Sequence, residues 1–131
     1  MGIRALKAAW AAVAISVVAA GCATLDSRPP QEIVKERAQE RAAAVVAGDT
    51  KQVYSFFTPT VRNTLKYEDY ASNVRVGFWK AATVDKVVCP KEDVCDVSLS
   101  IEYIFRGMRI KTPVGETWIR EGREWWYATK E

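Results

Sequence analysis

The sequence predicts an α+β domain, with helices first and an antiparallel sheet of about four strands second. Three observations predict it. Between Gln31 and Ala47 small and apolar residues recur at helical spacing with no breaker among them. Between Asp96 and Phe105 the period switches to two, with Val97, Leu99, Ile101, Tyr103 and Phe105 alternating against Asp96, Ser98, Ser100, Glu102 and Ile104. Turn dipeptides at Arg106-Gly107 and Glu121-Gly122 cut the second half into consecutive strands, and helices followed by an antiparallel meander are the α+β layout.

The chain starts with positive charge at Arg4 and Lys7, followed by a small and apolar run from Ala8 to Ala20 broken only by Ser16. As a helix this run would reach only about 20 Å, short of the ~30 Å hydrocarbon core of a bilayer, so it reads as a signal peptide over residues 1–21 and not as a span. The stretch Ala19-Ala20-Gly21-Cys22 resembles the lipobox of bacterial lipoproteins, although Ala19 stands where that family usually has leucine. The resemblance implies that Cys22 becomes the amino terminus and is acylated, with chains of the palmitate kind. Ordinary secretory cleavage after Gly21 is the alternative. Several acyl chains on one residue hold a membrane better than the marginal grip of one myristoyl group.

Residues 22–30, with Ser27, Pro29 and Pro30, read as a lipidated tether, and Pro30 suits the first turn of a helix. On that helix Val34, Ala38, Arg41, Ala42 and Val45 share one stripe, while Glu36, Gln39 and Glu40 fall outside it, and Gly48 ends it. Asp49 with Gln52 resembles a capping box that opens a short helix through Val53, Tyr54, Phe56 and Phe57. Thr58-Pro59 stops it and starts another turn or two over Val61 to Leu65. The stretch "KYEDYASNVR" reads as one more short helix with Tyr67, Tyr70 and Val74 on one side, and Gly77 separates the helical half from the rest.

Phe78 to Val88 is β-branched and aromatic enough to pair with the alternating strand. Met108 to Arg120 returns as a third strand with an irregularity expected at Thr112-Pro113, and Trp125 to Thr129 forms the last. Cys89 and Cys95, in "CPKEDVC", join the first two strands and are close enough to pair, which leaves Cys22 over as the lipid site. With no histidine in the chain and no further cysteine nearby, no metal site is expected, and the spacing is not that of a C-x-x-C redox motif.

Removing residues 1–21 takes two positive charges with it and lowers the formal charge from +3 to about +1, which is no nucleic-acid footprint. The charged run "IVKERAQER" mixes signs at helical spacing and reads as a solvated face. About 110 residues remain, enough for one core.

The helix "ERAQERAAAVVAGDTKQVYSFFTPTVR", the strands around the cysteines and the ending "ETWIREGREWWY" together resemble the nuclear transport factor 2-like fold over roughly residues 31–129 of the domain spanning residues 31–131. The best parts are Gly48-Asp49, Tyr54, Pro59 with Arg62, and the hairpin from Trp118 to Tyr127. The resemblance implies helices packed in the hollow of a curved antiparallel sheet, a cystatin-like cone. The family includes isomerases, dehydratases and cyclases, and also domains that only bind or assemble, so the match speaks to fold before activity. Its enzymes use a cavity carboxylate or histidine with a tyrosine or protonated acid. Here Asp69, Asp85, Glu102 and Glu116 with Tyr54, Tyr67 or Tyr103 would have to supply those parts, and none matches a family catalytic motif.

Arg41 sits on the apolar stripe, so it must snorkel or pair with a carboxylate such as Glu102 or Glu116. Tryptophans 79, 118, 125 and 126 fill a core or line an apolar site, and successive Trp125 and Trp126 must point to opposite faces. The candidate cavity or partner surface is Arg41, Tyr54, Phe57, Trp79, Tyr103, Phe105, Trp118 and Trp126. Leu99, Ile101, Tyr103 and Phe105 are expected toward the helices, with Ser98, Ser100 and Glu102 facing away.

The functional expectation is a lipid-anchored bacterial envelope protein acting as a binding or assembly module, through its cone cavity or sheet surface. Its partners would be the membrane, through the lipid, and an envelope protein or a small apolar ligand. No cofactor, metal or nucleic acid is called for, and catalytic residues are assigned to none. Ala23 after the lipid cysteine, not aspartate, resembles the pattern sent to the outer membrane, whose inner leaflet faces the periplasm. The alternative is a small isomerase- or dehydratase-like enzyme using a cavity carboxylate and tyrosine.

Overall fold

The computed structural model describes residues 26–128, so the signal peptide, Cys22 and the first part of the tether lie outside the described residues. Helix α1 (Pro30–Ala47) starts with proline in its first turn and ends at Gly48, whose φ of 73° is the left-handed conformation of a helix terminus. Helix α2 (Thr50–Ser55) is capped by Asp49, whose side chain accepts from the Gln52 backbone N–H at 3.1 Å. Helix α3 (Pro59–Thr64) is capped by the Thr58 hydroxyl, which accepts from the Val61 N–H at 3.0 Å, and α4 (Tyr67–Asn73) completes the helical half.

The second half is one antiparallel meander in the order β1 (Ala81–Lys91), β2 (Val94–Phe105), β3 (Met108–Glu121) and β4 (Glu124–Ala128). It forms a curved four-stranded sheet with the helices on one face, the α+β architecture the sequence predicts. β1 begins three residues later than the β-rich composition suggests. The preceding segment is used to cross the end of α1, where the Gly77 N–H donates to the Val45 carbonyl at 2.9 Å.

The irregularity expected at Thr112-Pro113 falls elsewhere. β2 and β3 pair in unbroken register, Pro113 opposite Ser100, whereas β1 slips between Val84 and Lys86 and again between Val88 and Lys91. The reason is β4: it pairs only with Thr117 to Glu121, so among the described residues Pro113 lies where β3 has an open edge and its missing N–H breaks no ladder bond.

Val34, Ala38 and Ala42 from α1 pack on Val84, Val97, Leu99, Trp118 and Trp125. A smaller cluster joins Ala44, Val45 and Val53 to Tyr70, Val76 and Trp79. On β2, Val97, Leu99 and Ile101 are buried under the helices, while Glu102 on the opposite parity is bound to Arg109 at 2.9 Å.

Candidate functional site

The site assembled by the inward faces of α1 and β3 is a buried ion pair among aromatic rings. Arg41 belongs to the apolar stripe of α1, and Glu116 lies opposite Val97, so strand parity aims it at the same interior. The Arg41 Nη1 donates to Glu116 Oε1, and the Trp118 indole N–H donates to Glu116 Oε2 at 3.0 Å. Their side chains retain only 10% and 3% exposure, and the Arg41 guanidinium carbon lies 3.7 Å from the centre of the Tyr127 ring.

Burial pushes the Glu116 carboxyl above its ordinary range, and Arg41 and Trp118 pull it partly back. Burial likewise raises the Tyr70 and Tyr127 phenols, each held back by the positive charge of Arg41. Of the two partners that the sequence left open for Arg41, parity selects Glu116, because Glu102 points to the other face.

The remaining candidate residues do not converge on one open space. The Tyr54 hydroxyl donates to the Leu65 carbonyl at 2.6 Å and its ring packs against Phe57, Tyr67 and Tyr70. Phe57 and Trp118 are buried in the packing, and Trp79 is half-buried against the Val45 cluster. Trp126 lies at the β4 edge, its indole N–H donating to the Glu121 carbonyl at 3.3 Å, with the Arg37 and Arg62 guanidinium carbons 5.4 and 5.1 Å from its ring. Tyr103 stacks with Phe78 at 5.0 Å, near the β2–β3 turn, and Phe105 is 50% exposed there. The inward parity of Phe105 therefore ends in solvent, because β2 runs past the last helix that could cover it. Cys89 and Cys95 are bonded, S–S 2.00 Å, across the β1–β2 turn.

An open groove of about 680 Å³ lies at the start of α1, between Arg28, Ile33, Arg37, Arg120, Arg123 and Trp125. None of the eight sequence candidates lines it. Its charges largely answer one another: Arg28 binds Asp26 at 2.7 Å and Glu36 at 2.6 Å, and holds the Asp26 carboxyl below its ordinary range. The groove is made by the chain folding the β3–β4 turn against α1, which no local pattern announces. Among the described residues no three His, Cys, Asp or Glu side chains gather as a metal cage, and no helix is long and apolar enough to cross a membrane.

No protein-family model and no curated protein matches the chain. Among solved structures, the solution structure of a SEC-C motif containing protein from Rhodopseudomonas palustris is similar with a TM-score of 0.53 and 12% identity, covering 72% of this chain and 73% of that one. The crystal structure of a SEC-C motif containing protein from Psychrobacter arcticus gives a TM-score of 0.58 at 10% identity, covering 79% of this chain and 63% of that one. At such identities the likeness is one of fold alone.

Proposed function

We propose that the chain is a lipid-anchored bacterial envelope protein, acylated at Cys22, whose α+β domain binds or assembles with another envelope component through its surface. One observation carries the preference for binding over catalysis: Glu116, the acid on the inward face, is closed off from solvent and committed through both oxygens, to Arg41 and to Trp118. A general acid or base must reach a substrate proton at roughly 2.6 to 3.2 Å, which a carboxylate sealed in an ion pair does not do. The other acids named as candidates are also engaged or turned outward. Asp85 accepts from the Ser100 hydroxyl at 2.6 Å, Glu102 is paired with Arg109, and Asp69 is exposed on α4. The Tyr54 hydroxyl is spent on a backbone carbonyl.

The lipobox-like stretch before Cys22 supports the anchor, and Ala23 after it supports the outer membrane, its inner leaflet facing the periplasm. The tether from Cys22 to Pro30 spans at most about 28 Å, so the α1 end of the domain stays close to the bilayer.

Mass spectrometry of the full chain recovered from membranes tests this. The expected product begins at Cys22 and carries acyl chains on that residue, and Cys22→Ala accumulates with residues 1–21 still attached. An unmodified mature chain would refute the anchor. The enzyme alternative draws on the raised Glu116 carboxyl beside Tyr127, and would need a water-filled path to it.

A further inference from the structure

The geometry points to the open edge of β3, from Met108 to Thr112, as a docking site for an extended segment of a partner protein in which apolar and acidic residues alternate. The inference rests on the binding reading above and supplies its surface.

The edge follows from pairing and parity. β4 reaches only to Thr117, so among the described residues nothing pairs with the far half of β3 on that side. The Arg120 N–H donates to the Asp93 carbonyl, on the β2 side, at 2.8 Å. Because backbone groups alternate sides along a strand and the β2–β3 register is unbroken, even-numbered residues of β3 face β2 and odd-numbered ones face the open edge. The two-residue turn closed by Phe105 and Met108 agrees, since the closing pair of such a hairpin is hydrogen-bonded. Arg109 and Lys111 thus offer their N–H and C=O groups outward, and Pro113 offers its carbonyl. Pro113 ends the usable run, which keeps the edge short.

The side chains state what the added strand would look like. On the helix-side face, Met108 is 61% exposed, Phe105 is 50% exposed, and Tyr103 and Ile110 lie half-buried, because the helices pack on β1, β2 and β4 and leave this end of β3 uncovered. Apolar residues on that parity of an incoming strand would cover them. On the other face Arg109 and Lys111 project against one carboxylate, Glu102, while Arg106 lies over the Phe105 ring and the Lys80 amine donates to the Gly77 carbonyl on the helix side. Acidic residues on the opposite parity would answer this excess charge. A second copy fits poorly. Antiparallel pairing of two β3 edges about Lys111 sets lysine against lysine, a repulsive cross-strand pair.

The test titrates the full chain, solubilised in detergent, into a fluorescent peptide of four Glu-Val repeats, with four Lys-Val repeats as the comparison. Saturable binding to the acidic peptide, at least roughly tenfold tighter than to the basic one, is expected. Lys111→Pro should weaken it by roughly tenfold or more while leaving the circular dichroism spectrum unchanged, since the lost N–H is unpaired. Lys111→Glu, which leaves the backbone intact, should invert the preference between the peptides. No binding, or binding indifferent to both variants, overturns the proposal. So does self-association abolished by Lys111→Pro, which would make a second copy the occupant, or binding of vesicles containing phosphatidylglycerol that survives Lys111→Pro and is lost in Lys111→Glu. Acylation at Cys22 is read separately by mass spectrometry, so failure of the edge and failure of the anchor are distinguishable.

Discussion

Arg41 and Glu116 show how one helical residue and one strand residue define the interior. Each alone would be an uncompensated charge in an apolar core; together with the Trp118 N–H and the Tyr127 ring they offset one another's charge, while the buried Arg41 Nε keeps no hydrogen-bond partner among the described residues. Arg41→Ala or Glu116→Ala is therefore expected to cost about 3–5 kcal/mol in urea unfolding, while the double change to methionine returns most of it. Single losses below about 1 kcal/mol would mean the pair is wetter than described. The pair also sets a pH dependence. Burial raises the Glu116 carboxyl above its ordinary 4.5, so the folded chain keeps this proton where the unfolded chain has lost it. Its contribution to stability is full below about pH 4.5 and is lost as pH rises through the folded value. The stability of wild type relative to Glu116→Gln should fall as pH rises above about 4.5, and a rise would reverse the assignment.

At the scale of elements, the two ends of the sheet are held differently. The Cys89–Cys95 bond clamps the β1–β2 turn, where β1 has slipped register, and closing a loop of about seven residues stabilises by roughly 2 kcal/mol. Replacing both cysteines by serine should lower stability by that amount or more in denaturant titration, since Cys95 is fully buried, and leave peptide binding at the β3 edge unchanged, because the clamp sits at the opposite end of β2. A binding loss equal to the stability loss would tie the two ends together. At the other end the chain turns on Gly48 and Gly77, whose φ values are 73° and 85°; a Cβ on Gly77 would meet the Gly48 Cα at 3.7 Å, an ordinary contact, so the positive φ and not crowding is what favours glycine. Gly77→Ala is expected to cost about 1 kcal/mol or more through backbone strain, since that conformation disfavours any side chain.

Across the whole molecule, stability is uneven. α1 and β2 carry the fully buried Val34, Ala38, Ala42, Cys95 and Leu99, whereas α3 and α4 bury no residue completely. Amide exchange should accordingly be slowest over Val34 to Ala42 and Val97 to Ile101 and fastest over α3 and α4. Equal protection throughout would mean that the short helices fold and unfold with the sheet as one unit. α1 is 18 residues long, about 27 Å, and its end adjoins the segment that leads into β1, where the Gly77 N–H donates to the Val45 carbonyl and the Lys80 N–H to the Glu102 carbonyl.

The order of elements, their boundaries within a few residues, the Asp49 cap, the Gly48 stop and the inward parity of Leu99 were all legible in the sequence, because each depends on neighbours a few residues away. The presence of Arg41 on an apolar stripe left two outcomes, a snorkelling head or a carboxylate partner, and the structure takes the second. Which carboxylate answered it was decided by the β2–β3 register, which sets Glu116 opposite Val97 on the inner face and Glu102 on the outer. Periodicity gave Phe105 an inward parity but could not say where the helices stop covering the sheet. The open edge of β3 depends on the length of β4, and the groove at Trp125 on how α1 meets the β3–β4 turn. These are contacts between segments distant in sequence, so local propensity and spacing carry no record of them, and only the packed tertiary structure determines them.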